Sequence, residues 1–111
     1  YDLFFATFNS VAQGITAAGV NQAGATILTK TFNRVDTVAA GTGVVEDSTN
    51  PITRTVQNNG ANDLLWYPYS TQQFYLTDGS GLQGAGIPIS IAPGNSAKYI
   101  RYNTGQLTIQ G

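Results

Sequence analysis

Cysteine, histidine and methionine are all absent from this chain of 111 residues. Without a thiol there is no disulfide framework, no thiolate zinc site and no cysteine nucleophile. Without an imidazole the commonest general base, the commonest metal ligand and the usual pH switch are gone. Nucleophilic chemistry would fall to a Ser–Lys or Thr–Lys pairing. Lys30, flanked by Thr29 and Thr31, and Lys98, which follows Ser96 by two, both read as outward strand positions. The chain therefore reads as non-enzymatic. Charge is scarce too: five Lys and Arg stand against six Asp and Glu, 10% of the residues, where about a quarter is usual. A net charge of -1 gives no electrostatic footprint for DNA or RNA. The longest apolar-leaning run, over 11–20, is broken by Gln13, Gly14, Thr16 and Gly19, far short of the ~20 apolar residues of a spanning helix. Tyr1-Asp2-Leu3-Phe4-Phe5 lacks the basic residues that open a signal peptide. Neither nucleic acid nor a membrane is an expected partner.

What remains is rich in Gly, Thr, Asn and Val, a mixture that favours strands joined by tight turns. Ile87, Ile89 and Ile91 alternate with Pro88 and Ser90; Leu107 and Ile109 alternate with Gln106, Thr108 and Gln110; Phe74 and Leu76 alternate with Gln73 and Tyr75. Period-two alternation marks half-buried strands with one wet face, as in antiparallel sheets. Leu64-Leu65-Trp66-Tyr67 is a continuous apolar run that reads as a strand buried on both sides. Asn59-Gly60, Asp78-Gly79-Ser80-Gly81, Ala92-Pro93-Gly94-Asn95 and Asn103-Thr104-Gly105 supply turn chemistry between these runs. The expected fold is all-β: a single antiparallel β-sandwich, jelly-roll-like, of about eight short strands. It forms one domain over 1–111, with 1–24 partly an extended N-terminal arm or loop; the small, Gly-rich stretch 12–24 has little to bury.

Gly79-Ser80-Gly81-Leu82-Gln83-Gly84 spells the G-x-G-x-x-G of a phosphate-cradling turn. That motif needs a helix after it and an acid about 20 residues on. Ala85-Gly86-Ile87-Pro88 cannot open a helix, and Lys98 and Arg101 stand where the acid belongs, so the segment reads as a hairpin loop. Glu46 and Asp47 are adjacent carboxylates, but sequence neighbours in a strand face opposite ways. With Ser48-Thr49-Asn50 they read as a solvated loop. No cation-binding loop pattern accompanies Asp63, Asp78 or Glu46, and no catalytic, cofactor or metal site is expected. The basic residues are scattered, and Phe32, Tyr99 and Tyr102 near them read as ordinary sheet aromatics. Trp66, Tyr67, Tyr69, Phe74 and Tyr75 form the densest aromatic group. Packing and subunit contact is the favoured reading, with a sugar-stacking shelf as the alternative.

Thr16-Ala17-Ala18-Gly19, Gln22-Ala23, Leu28-Thr29-Lys30, Asn33-Arg34-Val35 and the run from Thr37 to Val44 form an ordered series. It continues through Val56-Gln57-Asn58-Asn59-Gly60 to Leu65-Trp66-Tyr67-Pro68, and ends at Ile91-Ala92-Pro93-Gly94-Asn95-Ser96-Ala97-Lys98-Tyr99-Ile100. In order and spacing it resembles the tailed-bacteriophage virion structural proteins: head decoration or cement proteins and fibre-type β modules. The likeness spans roughly 14–109 and departs at Glu46-Asp47 and at Gly105-Gln106-Leu107-Thr108. It implies an asparagine–glycine hairpin and a structural role on the virion with no catalytic residues.

The expected function is that of a capsid decoration protein. It would be made in the host cytoplasm, bind the major capsid protein and copies of itself as a homotrimer, and stabilise the head from the capsid surface. The alternative is a tail-fibre, head-fibre or baseplate module that adsorbs to a host glycan through Trp66 and Tyr75. Three Phe within five residues, Phe4, Phe5 and Phe8, are costly to leave in water. They are the expected anchors, with the segment docking as a strand within the subunit or onto a partner. Trp66, Tyr67 and Tyr69 are the expected subunit-packing residues.

Overall fold

A computed structural model of the protein describes residues 11–48, 51–77, 79–103 and 106–110. They form eleven strands: β1 Val11–Thr16, β2 Thr26–Leu28, β3 Phe32–Thr37, β4 Gly43–Glu46, β5 Thr53–Asn58, β6 Leu64–Tyr67, β7 Gln73–Leu76, β8 Gly81–Leu82, β9 Ile89–Ile91, β10 Ser96–Asn103 and β11 Gln106–Gln110. A single 3-10 turn at Gln22–Gly24 is the sole helical element among the described residues. The all-β expectation holds, with eleven strands in place of about eight.

Two sheets share the strands. The larger runs β1-β3-β5-β10-β11-β7-β8 and the smaller β2-β4-β6-β9. From β1 to β6 the chain alternates between them, so strands two apart in sequence become neighbours. These neighbours are parallel: β1 with β3, β3 with β5, β2 with β4 and β4 with β6. The chain thus winds as a coil whose circuits return after 18 to 23 residues, with the partners Thr26–Val44 and Phe32–Thr55 at the extremes. Antiparallel pairing enters with β10 against β5 and β11, β9 against β6, and β8 against β7. The sheets are therefore mixed, and the expectation of antiparallel, jelly-roll pairing fails over the coil, since a jelly roll is built from antiparallel Greek keys.

The reason lies at the turns. Asn59-Gly60 and Pro93-Gly94 do not close hairpins. Each is a corner that carries the chain from one sheet to the other, from β5 to β6 and from β9 to β10. Nor does Gly60 adopt a left-handed φ. It is glycine because a Cβ there would stand 2.6 Å from Val38 Cγ2 and 2.9 Å from the Val38 backbone nitrogen. The stretch 12–24 divides: its first part is a strand, β1, which pairs with β3 through a bulge at Gly14, whose φ is +69°, while 17–24 runs as a loop with the 3-10 turn at Gln22–Gly24. Only Ala17 is buried in this stretch, with Ala12 and Ile15 half-buried on β1, a pattern too weak to read from sequence.

The main core lies between the sheets. The larger contributes Val35, Val56, Phe74, Tyr99, Leu107 and Ile109; the smaller contributes Leu28, Val44, Leu64, Trp66, Ile89 and Ile91. A second, small cluster of Ala25, Val45 and Tyr67, with Leu65 against it, covers the outer face of the smaller sheet. This is why Leu64–Tyr67 is apolar on both faces.

Candidate functional site

The most concentrated chemistry in the fold is a buried polar cluster built from four strands. In β5, Arg54, Val56 and Asn58 take the inward positions while Thr53, Thr55 and Gln57 face out. In β4, Val44 and Glu46 share the inward face. Alternation thus delivers Glu46 and Arg54 to core positions, where both are 1% exposed. The solvated-loop reading of Glu46 is corrected: it ends a strand, and a charge is tolerated there because every polar atom of its carboxylate has a partner.

Three donors from three strands converge on that carboxylate. Arg54 Nη1 donates to Oε1 at 2.9 Å, Tyr99 OH donates to the same oxygen at 2.8 Å, and Trp66 Nε1 donates to Oε2 at 2.9 Å. Arg54 is held in turn by donating from Nε to Lys30 O at 2.8 Å and from Nη1 to Leu28 O at 3.2 Å. Its Nη2 reaches Asp47 Oδ1 at 3.5 Å. Phe74 and Tyr99 close the indole in, with ring centroids 5.5 and 5.8 Å from that of Trp66. Burial pushes the Glu46 carboxyl above its ordinary pKa of 4.5; the Arg54 charge and the hydrogen bonds from Tyr99, Trp66 and Arg54 pull it back in part. Burial, and then the neighbouring Glu46 charge, push the Tyr99 phenol well above its ordinary value of 10. A carboxylate saturated by three donors and sealed from solvent reaches no substrate. The cluster joins the two sheets.

Two smaller polar knots hold the corners. Asn58 donates from Nδ2 to Asn62 O and Ile91 O, each at 2.8 Å, and its Oδ1 accepts from Gly60 N at 2.9 Å. This fixes the β5–β6 corner. Asp36 accepts from Gly14 N at 2.8 Å, Arg34 Nε at 2.9 Å and Asn59 Nδ2 at 3.0 Å, tying the β1 bulge to β3 and to the same corner. The bond from Asn59, then that from Arg34, hold the Asp36 carboxyl below its usual 3.8.

Of the residues singled out from sequence, Phe4, Phe5 and Phe8 lie outside the described residues. Trp66 is 0% and Tyr67 7% exposed. Their packing lies within the subunit, so neither offers a surface to a partner. Tyr69 remains on the surface at 40% exposure. The sugar-stacking pair is split in the same way: Trp66 is sealed while Tyr75 on β7 is exposed. At Gly79–Gly84 the chain forms β8 and turns with no helix after it. Among the described residues, no group of three or more Asp and Glu is placed to hold a metal ion, and no helix is long and apolar enough to cross a membrane.

The surface carries large apolar side chains instead. Val20, Ile27 and Ile52 are each more than three-fifths exposed, and Phe32, Leu82 and Ile87 nearly half. No family model, no curated protein and no solved structure matches the chain.

Proposed function

We propose that this chain is a structural subunit of a bacteriophage particle, a head decoration protein that docks on the major capsid protein lattice together with copies of itself. The observation that carries the reading is the character of its surface. The chain has few charged residues, and Glu46 and Arg54 are consumed in the core while Arg34 is engaged with Asp36. The outside is left still more neutral than the composition, with Ile27, Ile52 and Val20 in water. Net and mixed charge ordinarily keep proteins apart. A neutral, partly apolar exterior on a two-layer, sandwich-like β body suits a protein that lies against neighbours. Bound copies would stabilise the expanded shell by mass action, since they bind the assembled state alone.

Adding the purified chain to expanded capsids that lack it tests this. Saturable binding to the lattice, with a rise in the melting temperature of the shell, is the expected result. Absence of binding, or binding with no gain in thermal or osmotic stability, overturns the reading. The glycan-adsorption reading loses support with Trp66 sealed in the core, because its ring cannot meet a sugar face.

A further inference from the structure

The two sheets are unequal, seven strands against four, and the surplus leaves an opening. β9 ends the smaller sheet, while β11, β7 and β8 continue the larger one past it. Beside β9 lies a cavity of about 400 Å³ whose lining includes Ile89 and Ile91 of β9, Ala97 of β10, Ile109 of β11 and Leu76 of β7. Among the described residues no charged side chain lines it. Leu76, Ala97 and Ile109 belong to the core or pack against it, so the cavity opens onto the interior between the sheets.

Among the described residues, the edge beside this cavity is unpaired. Leu65 N donates to Thr42 O at 3.3 Å, so the backbone groups of Leu65 face β4. Those of Leu64 and Trp66 then face β9, where they meet Ile91 and Ile89. In an antiparallel pair the residue between two such partners points its N–H and C=O away. That residue is Ser90. The larger sheet guards its own edges differently: β1 is kinked by the Gly14 bulge and β8 is two residues long.

We propose that residues 3–8 of one copy, Leu-Phe-Phe-Ala-Thr-Phe, add to β9 of a second copy as a further strand of its smaller sheet, with Phe4 and Phe8 entering the cavity. This is strand addition, in which main-chain hydrogen bonds give affinity and alternate side chains fill pockets. Residues 3–8 are uncharged, as the cavity is. Alternation puts Phe4, Ala6 and Phe8 on one face. From Phe4 to Phe8 is about 13 Å of strand, the same span as the cavity-lining stretch from Pro88 to Ala92.

Reach points to a second copy rather than to the same chain. Val11 opens β1 at the far margin of the larger sheet, four strands from β11 and five from β7, or about 19–24 Å at ~4.8 Å per strand. Phe8 lies at most about 10 Å of extended chain from Val11 and Phe4 about 23 Å. The path between them would have to pass around the smaller sheet, not through the core. The contact concerns the purified chain alone, so it stands or falls independently of the capsid reading.

The chain's lack of cysteine gives a test free of background. Ser90 faces outward on β9, so its partners on an added strand are the outward residues Phe5 and Thr7. The full chain carrying Ser90→Cys with either Phe5→Cys or Thr7→Cys should form, on mild oxidation, a reducible species of twice the chain mass or more. The same arm cysteines paired with Ile27→Cys, on the opposite edge of the smaller sheet, should remain monomeric. Phe4→Ser with Phe8→Ser should abolish crosslinking while leaving the far-ultraviolet circular dichroism unchanged. No crosslink, a crosslink closed within one chain, or equal crosslinking to Ile27→Cys overturns the proposal; the pairs that keep Phe4 and Phe8 decide it if the serine variant fails to fold.

Discussion

Glu46→Gln is the sharpest test of the buried cluster, because it changes charge and one donor–acceptor identity while keeping volume. The carboxylate presents two acceptor oxygens to three donors. A glutamine amide presents one oxygen and one NH2. If its oxygen replaces Oε1 it keeps Arg54 and Tyr99, but the NH2 then faces the Trp66 indole N–H head-on, beside a side chain with 0% exposure. The reverse orientation turns the NH2 toward the Arg54 guanidinium, which loses its acceptor, while the Tyr99 hydroxyl can rotate to accept from the amide. An unsatisfied buried donor costs about 1–3 kcal/mol. Breaking a buried ion pair by removing one partner costs about 3–5 kcal/mol. Asp47 Oδ1, 3.5 Å from Nη2 and on a side chain 15% exposed, keeps a weak hold on Arg54, which places the ionic part at the lower end. The expected loss is about 4 kcal/mol, against a total stability of roughly 6–17 kcal/mol for a chain of this length.

The assay is built into the site. Trp66 is the single tryptophan, so its fluorescence during urea unfolding reports the global transition. Glu46→Gln should lower the midpoint with an unchanged denaturant slope. Arg54→Met should then cost less in the Glu46→Gln background than in the wild type, with a coupling of at least about 1.5 kcal/mol, as for hydrogen bonds to charged groups. A loss below about 1 kcal/mol, or additive single changes, would refute the claim that carboxylate and guanidinium support each other in the core.

Tyr99 should resist ionisation: in a spectrophotometric titration one of the six tyrosines ionises only as the protein unfolds. Its raised pKa contributes stability that is complete below pH 10 and is lost as pH rises past it, and Tyr99→Phe should flatten that alkaline loss. Asp36 works in the opposite sense: its lowered pKa contributes stability that is present above pH 3.8 and is lost as pH falls below it. Asp36→Asn should therefore shallow the acid limb of a stability–pH curve, and an identical limb would refute the role. Gly60→Ala should destabilise by about 1–3 kcal/mol in the same urea assay, because its Cβ meets the backbone of Val38 as well as its side chain, so turning the side chain aside does not relieve the clash.

Where polar and apolar residues alternated cleanly, the sequence was legible. Phe74, Ile89, Ile91, Leu107 and Ile109 are all buried as their spacing implies, with Tyr75 and Ser90 between them exposed; Ile87, read as part of the same face, lies before β9 and is nearly half exposed. The buried cluster was hidden by residue type, not by position. Val44-x-Glu46 and Arg54-x-Val56-x-Asn58 carry the same period-two signal, and each places a polar residue in an apolar slot. Such a slot is read as solvent-facing unless its partners are known, and these lie 8, 20 and 53 residues from Glu46. Strand direction was hidden for another reason. The turn chemistry of Asn59-Gly60 or Pro93-Gly94 reverses a chain equally well within a sheet or between two, so local signals cannot separate a hairpin from a corner. The parallel coil follows from that choice.

The coil also explains why a chain so poor in charge places an ion pair inside. Burial of one face already opposes a one-residue slip of its strands, but the Thr, Asn and Gln they present outward do little to oppose a slip of two. An apolar core tolerates exchange among Val, Leu and Ile, so a strand that slips by two residues can still bury something greasy. Hydrogen bonds are less permissive. A one-residue slip of β5 sends Arg54 to solvent and strands Glu46 inside. A two-residue slip puts Val56 against the carboxylate, where it offers no donor. The same holds for Tyr99 on β10 and Trp66 on β6. Because the donors come from strands of both sheets, the carboxylate of Glu46 is satisfied in one mutual alignment of β4, β5, β6 and β10. The core thus draws its register from two of the few charges the chain has, and the exterior is left neutral enough to meet other surfaces.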